Sequence, residues 1–165
     1  MGFSLIGIIP YSNYGNVKVV FMRITLESDY ALRILSAMAT HTEVTDAKTL
    51  SDETSVTLRF TLKILHKLVS ENIVKSFKGV NGGYKLNRSA EEITLKDVIE
   101  LIDGPIAIVK CLESSESCSL NHDKTACIYH HIFETISSDV AKKLASITIF
   151  DVLNNKDVLK KLTMK

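Results

Sequence analysis

The sequence predicts a mainly α-helical fold with a small β wing: a winged helix-turn-helix domain followed by a long dimerisation helix. Three observations predict it. Two amphipathic helices joined by a tight polar turn lie between Asp46 and Ser70, the second of them basic on its outer face. Two short alternating segments around a Gly-rich turn follow directly, from Ile73 to Leu86. Apolar residues then recur at every fourth position from Ile128 to Leu144, over more turns than a small domain can cover by itself. A hydrophobic content of 45% in 165 residues supports one packed core with an appendage.

Residues 1–21 are apolar and interrupted by Tyr-Ser-Asn-Tyr-Gly-Asn. They lack the basic start and small-residue cleavage site of a signal peptide, so they read as an extension outside the fold, with Met22 as the functional start. The first helix spans Glu27–Thr40, capped by Ser28, with Ala31, Leu32, Ile34, Leu35, Met38 and Ala39 on one face. Asp46 caps a short second helix that Leu50 anchors. Ser55-Val56-Thr57 is the turn. The third helix, Thr57–Ser70, points Leu58, Leu62, Leu65, Leu68 and Val69 inward and Arg59, Lys63, His66 and Lys67 outward. The hairpin around Gly79-Val80-Asn81-Gly82-Gly83 is the wing. A fourth helix, Ile93–Ile102, opens on a Thr94/Asp97 capping box and ends at Gly104-Pro105.

Residues 111–127 are polar and carry neither helical nor strand periodicity. The stripe Ile128, Ile132, Ile136, Val140 and Leu144, with Phe133 and Ile147 alongside, predicts a helix that pairs with a second copy of the chain. The last 15 residues read as a short frayed helix. The expected organisation is thus an extension at 1–21, the winged domain at 22–104, a cysteine-bearing loop at 105–127, and a dimerisation helix with its tail at 128–165.

Net charge of +1 selects no partner, but its distribution does. Between Val56 and Arg88 seven Lys/Arg stand against the single acid Glu71, giving this segment +6. A basic block in a neutral chain is either a phosphate-binding face or a solvated one. Basic residues on both arms of the hairpin as well as on the preceding helix favour the first. All three cysteines fall within residues 111–127, an odd number in a tight group. That pattern argues against a secreted disulfide framework and for a reduced, cytoplasmic protein with a metal or redox site. No stretch is long enough to span a bilayer, and no Cys-x-x-Cys, phosphate loop or nucleophile elbow suggests an enzyme.

From Met22 onward the chain resembles the Rrf-two family of winged helix-turn-helix transcriptional regulators, the IscR, NsrR and CymR type. The resemblance covers about residues 22–150. It rests on Met22-Arg23-Ile24-Thr25 with Asp29-Tyr30-Ala31-Leu32-Arg33, and on Glu92-Ile93-Thr94-Leu95-Lys96-Asp97-Val98-Ile99 through Gly104-Pro105. Its most specific part is the wing, Gly79-Val80-Asn81-Gly82-Gly83-Tyr84 after a basic strand. The resemblance implies a homodimer that binds a palindromic operator in double-stranded DNA, usually as a repressor, with no membrane partner. Thr57, Arg59, Lys63, Lys78, Asn81, Gly82 and Tyr84 are the expected DNA-binding residues. Two departures matter. Leu62 stands where a base-discriminating Glu occurs in some members, and Lys78 stands where many carry an Arg, which loses the planar fork.

The resemblance also implies an iron–sulfur cluster, of four-iron or two-iron type, on Cys111, Cys118 and Cys127. Thiolates are soft ligands that suit iron. The gaps of six and eight residues are longer than the family's. His130, three after Cys127, matches the fourth ligand of the IscR branch; Asp29 matches the acidic ligand that the NsrR branch takes from the opposite subunit. His122 and His131 are further candidates. The expected function is a DNA-binding regulator whose affinity is set by that cluster, sensing nitric oxide, redox or iron–sulfur status. The alternative is a cluster-free regulator of the same fold, controlled by a partner protein or by thiol oxidation.

Overall fold

The computed structural model describes residues 24–79, 81–112, 127–154 and 158. The elements are α1 (Leu26–Thr40), α2 (Ala47–Thr54), α3 (Leu58–Ser70), β1 (Val74–Phe77), β2 (Gly83–Leu86), α4 (Leu95–Asp103), a single 3-10 turn at Lys110–Leu112, α5 (Ile128–Ala145) and α6 (Ile149–Asn154). This is the mainly α architecture with a two-stranded antiparallel wing that the sequence predicts. Among the described residues no helix is long and apolar enough to cross a membrane.

Local chemistry sets most boundaries. The Asp46 side chain accepts from the Lys48 and Thr49 amides and opens α2. α2 ends on Ser55 in the left-handed region, φ 56°. Val56, 2% exposed, is pulled into the turn: its amide donates to Ser51 O, and its carbonyl accepts from Ser51 Oγ at 2.7 Å. The Thr94/Asp97 box opens α4, with Asp97 N–H on Thr94 Oγ1 at 3.1 Å and Thr94 N–H on Asp97 Oδ2 at 3.2 Å. Ala31, Ile34 and Leu35 of α1, Leu50 of α2, Ile64, Leu65 and Leu68 of α3, Val74 of β1, Val98 of α4, and Ile93 and Ile149 form one core.

Three expectations are corrected. The cap of α1 is Thr25, whose Oγ1 accepts the Ser28 amide, and not Ser28 itself. Ser28 is fully buried and donates its hydroxyl to Asp103 Oδ2 at 2.8 Å. The same carboxylate accepts the Thr25 amide at 3.0 Å and the Thr25 hydroxyl, so the last residue of α4 ties down the start of α1.

The inward face of α3 is Thr61, Ile64, Leu65 and Leu68; Leu58 and Leu62 are exposed. Thr61 can be buried because its hydroxyl donates to Val56 O and Thr57 O.

Finally, Ile147 does not continue the helical stripe of α5, and residues 151–154, the first of the tail expected to fray, belong to a helix that starts at Ile149; apart from residue 158, the tail beyond them lies outside the described residues. α5 ends at Ala145, and the chain turns back to pair Thr148 with Thr94. Leu95 N–H donates to Ile147 O and Ile149 N–H to Ile93 O, both at 2.9 Å. α6 then packs on α1, with Ile149 in the core. A second capping box, Thr148 with Asp151, starts it.

Two glycines fix the turn of the wing. Gly82 N–H closes the turn onto Gly79 O at 3.0 Å, and Gly79 has φ +110°. Tyr84 exchanges both main-chain hydrogen bonds with Thr45, just before α2, at 2.8 and 2.9 Å. That crossing brings the Thr45 carbonyl oxygen within 2.6 Å of where a Cβ on Gly83 would stand. Gly83→Ala is expected to force these backbones apart and to destabilise the fold by about 2 kcal/mol, lowering the melting temperature by roughly 5 °C. A melting curve that overlays the parent would show that the wing is not held this way.

Candidate nucleic-acid interface and cysteine site

Three of the elements above converge to present α3 outward. Its N-terminus projects from the Ser55–Thr57 turn, its inner face is in the core, and the wing lies next in the chain. Thr57, Leu58, Arg59, Phe60, Leu62, Lys63 and His66 are all exposed. Arg59, Phe60 and Lys63 line a shallow open depression.

The cations on this face differ in their partners. Glu27 of α1 accepts from Lys63 Nζ at 2.7 Å through Oε2, and its Oε1 lies 2.8 Å from Lys67 Nζ. The Lys63 bond, then the Lys67 bond, holds the Glu27 carboxyl below the usual carboxylate range. A depressed carboxylate pKa means the clamp is complete at neutral pH and is lost only as acid protonates it. Arg59 has no carboxylate partner among the described residues. Next to it, the Phe60 ring meets Tyr30 edge-on, centroids 6.0 Å apart at 71°. The Arg33 guanidinium lies 6.0 Å from the Tyr30 ring and is paired with Asp29 at 2.7 Å.

The wing places Lys78 and Asn81 in solvent at its tip, with Gly82 half-buried behind them. Lys75 lies 5.6 Å from the Phe77 ring on the exposed strand. Tyr84 is half-buried against the core, and its main chain anchors the wing to Thr45. The anion clamp at Glu27 escaped the sequence reading.

Cys111 and Cys127 follow α4 in the chain. Cys111 is in the 3-10 turn and Cys127 precedes α5; both are half-buried free thiols. Cys111 Sγ is 4.0 Å from His130 Nδ1. His130 sits one helical turn from Cys127, so α5 presents both at its N-terminal end. Ser137, buried in α5, accepts the Ile108 amide at 3.2 Å and so fixes the segment leading to Cys111. Thiol and imidazole are donor types that suit iron or zinc. Cys118 and His122 lie outside the described residues, and among those described no three potential ligands converge. Asp29 is engaged with Arg33, and His131 lies 3.8 Å from Glu134. Along α5, Ile128, Ile132 and Ile136 are 65%, 46% and 44% exposed.

A family model described as Rrf2, iron-dependent transcriptional regulator, matches residues 24–155. The regulator IscR of Pectobacterium atrosepticum is 28% identical over 140 residues, which are 84% of this chain and 83% of the relative. The regulator NsrR of Bacillus licheniformis is 27% identical over 144 residues, 86% of this chain and 99% of the relative. Among solved structures, CymR, the global cysteine regulator of B. subtilis, superposes with a TM-score of 0.67 at 23% identity, covering 83% of this chain and all of that one. T. potens IscR does so with a TM-score of 0.65 at 19% identity, covering 87% and 93%. The structures share the fold, and the sequence relatives are named as transcriptional regulators rather than enzymes. With its winged helix-turn-helix and a family match spanning most of its length, the chain belongs to the Rrf2 family of transcriptional regulators.

Proposed function

We propose that this regulator binds a palindromic operator as a homodimer, acting as a repressor, and that an iron–sulfur cluster on Cys111, Cys118, Cys127 and His130 sets its affinity. The observation that carries the cluster reading is the approach of Cys111 Sγ to His130 Nδ1, beside Cys127 at the start of α5. Asp29 is the weaker fourth ligand, because it would have to leave Arg33. A bound cluster supplies a centre that reacts with oxidants and nitric oxide and is lost when iron is short. Earlier in the chain, at the end of α4, Asp103 holds Thr25 and Ser28, while Glu27 on the same turn of α1 holds Lys63 and Lys67 of α3. A rearrangement beyond α4 thus has a hydrogen-bonded route to the DNA-facing helix.

DNA contact is assigned to Thr57, Arg59 and Lys63 on α3, which enters the major groove, and to Lys78, Asn81 and Gly82 at the wing tip, on phosphate or in the minor groove. The apolar residues left in solvent along α5 support pairing of two copies through that helix. In this reading the organisation is a winged domain at 22–104, a cysteine loop at 105–127 and a dimerisation helix from 128, with α6 returning to the winged core; the setting is the cytoplasm. The long gaps between cysteines favour one second reading, a cluster-free regulator switched by thiol oxidation or a partner protein.

The deciding experiment is purification without oxygen, reconstitution with iron and sulfide, and titration of an operator selected from random duplexes. The cluster reading expects a visible absorption band, bound iron and sulfide, and DNA affinity that changes on exposure to nitric oxide or air. Colourless protein with affinity that tracks thiol oxidation supports the second reading. Light scattering should give the mass of a dimer.

The clamp makes its own prediction. Glu27→Gln removes the anion that competes with phosphate for two lysines. Affinity should rise several-fold, and the slope of log affinity against log salt should steepen by about one for each lysine released onto a phosphate. An unchanged slope would place both ammonium groups away from DNA.

A further inference from the structure

Three large apolar side chains flank Arg59 on the outer side of α3. Leu58 is 40% exposed, Phe60 44% and Leu62 38%. At about 100° per residue, Leu58 and Leu62 stack on one flank of Arg59 and Phe60 stands on the other. The core-facing positions are already filled by Thr61, Ile64, Leu65 and Leu68, so none of the three serves the interior. An amphipathic helix ordinarily keeps such residues off its solvent face, and a cluster of them marks a contact surface. Phe60 is moreover braced: Tyr30 meets it edge-on, Arg33 lies on Tyr30, and Asp29 holds Arg33. Its ring is thereby held outward beside the one cation of the face that has no acidic partner among the described residues.

The partner must offer apolar groups next to a hydrogen-bond acceptor pair. In the major groove the apolar group is the 5-methyl of thymine, and the pair that fits a guanidinium fork is O6 and N7 of guanine. We infer that α3 reads its half-site largely by shape against methyl groups: Arg59 takes a guanine, and Phe60 and Leu62, with Leu58 behind, select thymines on either side of it. The inference rests on the DNA-binding reading above and deepens it. Leu62, which cannot hydrogen-bond a base, then contributes specificity by contact with a methyl group.

The test alters the DNA and leaves the protein intact. An operator is selected from random duplexes with the full-length chain, and each thymine of the half-site is replaced singly by deoxyuridine, which removes only the methyl group. At the thymines under α3 the affinity should fall about fourfold per methyl, the value of one buried carbon. Phe60→Ala should erase the difference at one such position and Leu62→Ala at another, with circular dichroism unchanged. Equal affinity for thymine and uridine throughout the site overturns the inference and leaves DNA binding standing, as does undiminished discrimination by both variants. A flat uridine series with self-association that Phe60→Ala abolishes would assign the apolar flank to a second copy of the chain. Failure to enrich any sequence would overturn the DNA-binding reading, and this inference with it.

Discussion

Arg59→Ala is expected to weaken binding to the selected operator by roughly 10- to 100-fold and to relax the requirement for guanine at one position of each half-site. The expectation follows from the partners of the basic residues rather than from their number. Lys63 and Lys67 share Glu27, so each must give up or divide an existing ion pair before it can serve DNA. Arg59 carries no such cost, stands in the first turn of the helix that follows the turn, and has a planar fork suited to one base edge. Arg59→Lys should therefore fail to restore selectivity although it restores the charge. Lys78→Ala at the wing supplies the contrast: a similar loss across all sequences, with a salt slope shallower by about one. The two classes of effect are separable in one set of titrations against matched and mismatched duplexes. If Arg59→Ala keeps its preference for guanine while losing affinity uniformly, then Arg59 is a phosphate contact and another residue reads the base. Removing Lys63 together with Arg59 should abolish specific binding while leaving the protein folded, because neither side chain is buried.

Much of this arrangement was legible because its signals are local. Asp46 capping α2, the Thr94/Asp97 box and the two wing glycines are each set by a few adjacent residues, and the structure has them where the sequence puts them. Signals that depend on distant partners were not legible. Glu27 and Lys63 are 36 positions apart, and nothing in either segment says that they meet. Ser28 looked like a cap because its partner, Asp103, is 75 positions away. Apolar character alone gives the wrong phase for α3, because Leu ranks above Thr for burial, whereas Thr61 is buried with its hydroxyl satisfied by the turn behind it. The start of α6 does carry a local signal: Thr148 and Asp151 repeat the spacing of Thr94 and Asp97. At the cysteine site the sequence supplied the ligand types, and the structure adds one pairing, Cys111 with His130.

Cys111→Ala is expected to abolish the visible absorption of the protein prepared without oxygen, and with it most of the response of DNA binding to nitric oxide. The thiol is one of three that the proposed site needs, and no cysteine elsewhere in the chain can replace it. Three soft ligands leave one position to be filled, and the fourth group tunes the stability of the assembly. His130→Ala should therefore act differently: the band forms but shifts or decays faster, because the thiolates remain while the imidazole 4.0 Å from Cys111 is gone. Asp29→Ala separates the two candidates for that position. It should leave the spectrum unchanged, since its carboxylate belongs to Arg33 and to the brace behind Phe60. It should instead lower affinity modestly by loosening that brace. The longer gaps do not weigh heavily against the site, because the entropy of closing a loop grows only with the logarithm of its length. A spectrum that shifts in Asp29→Ala and not in His130→Ala would move the fourth ligand across the dimer. Visible absorption that survives Cys111→Ala would remove that thiol from the site altogether.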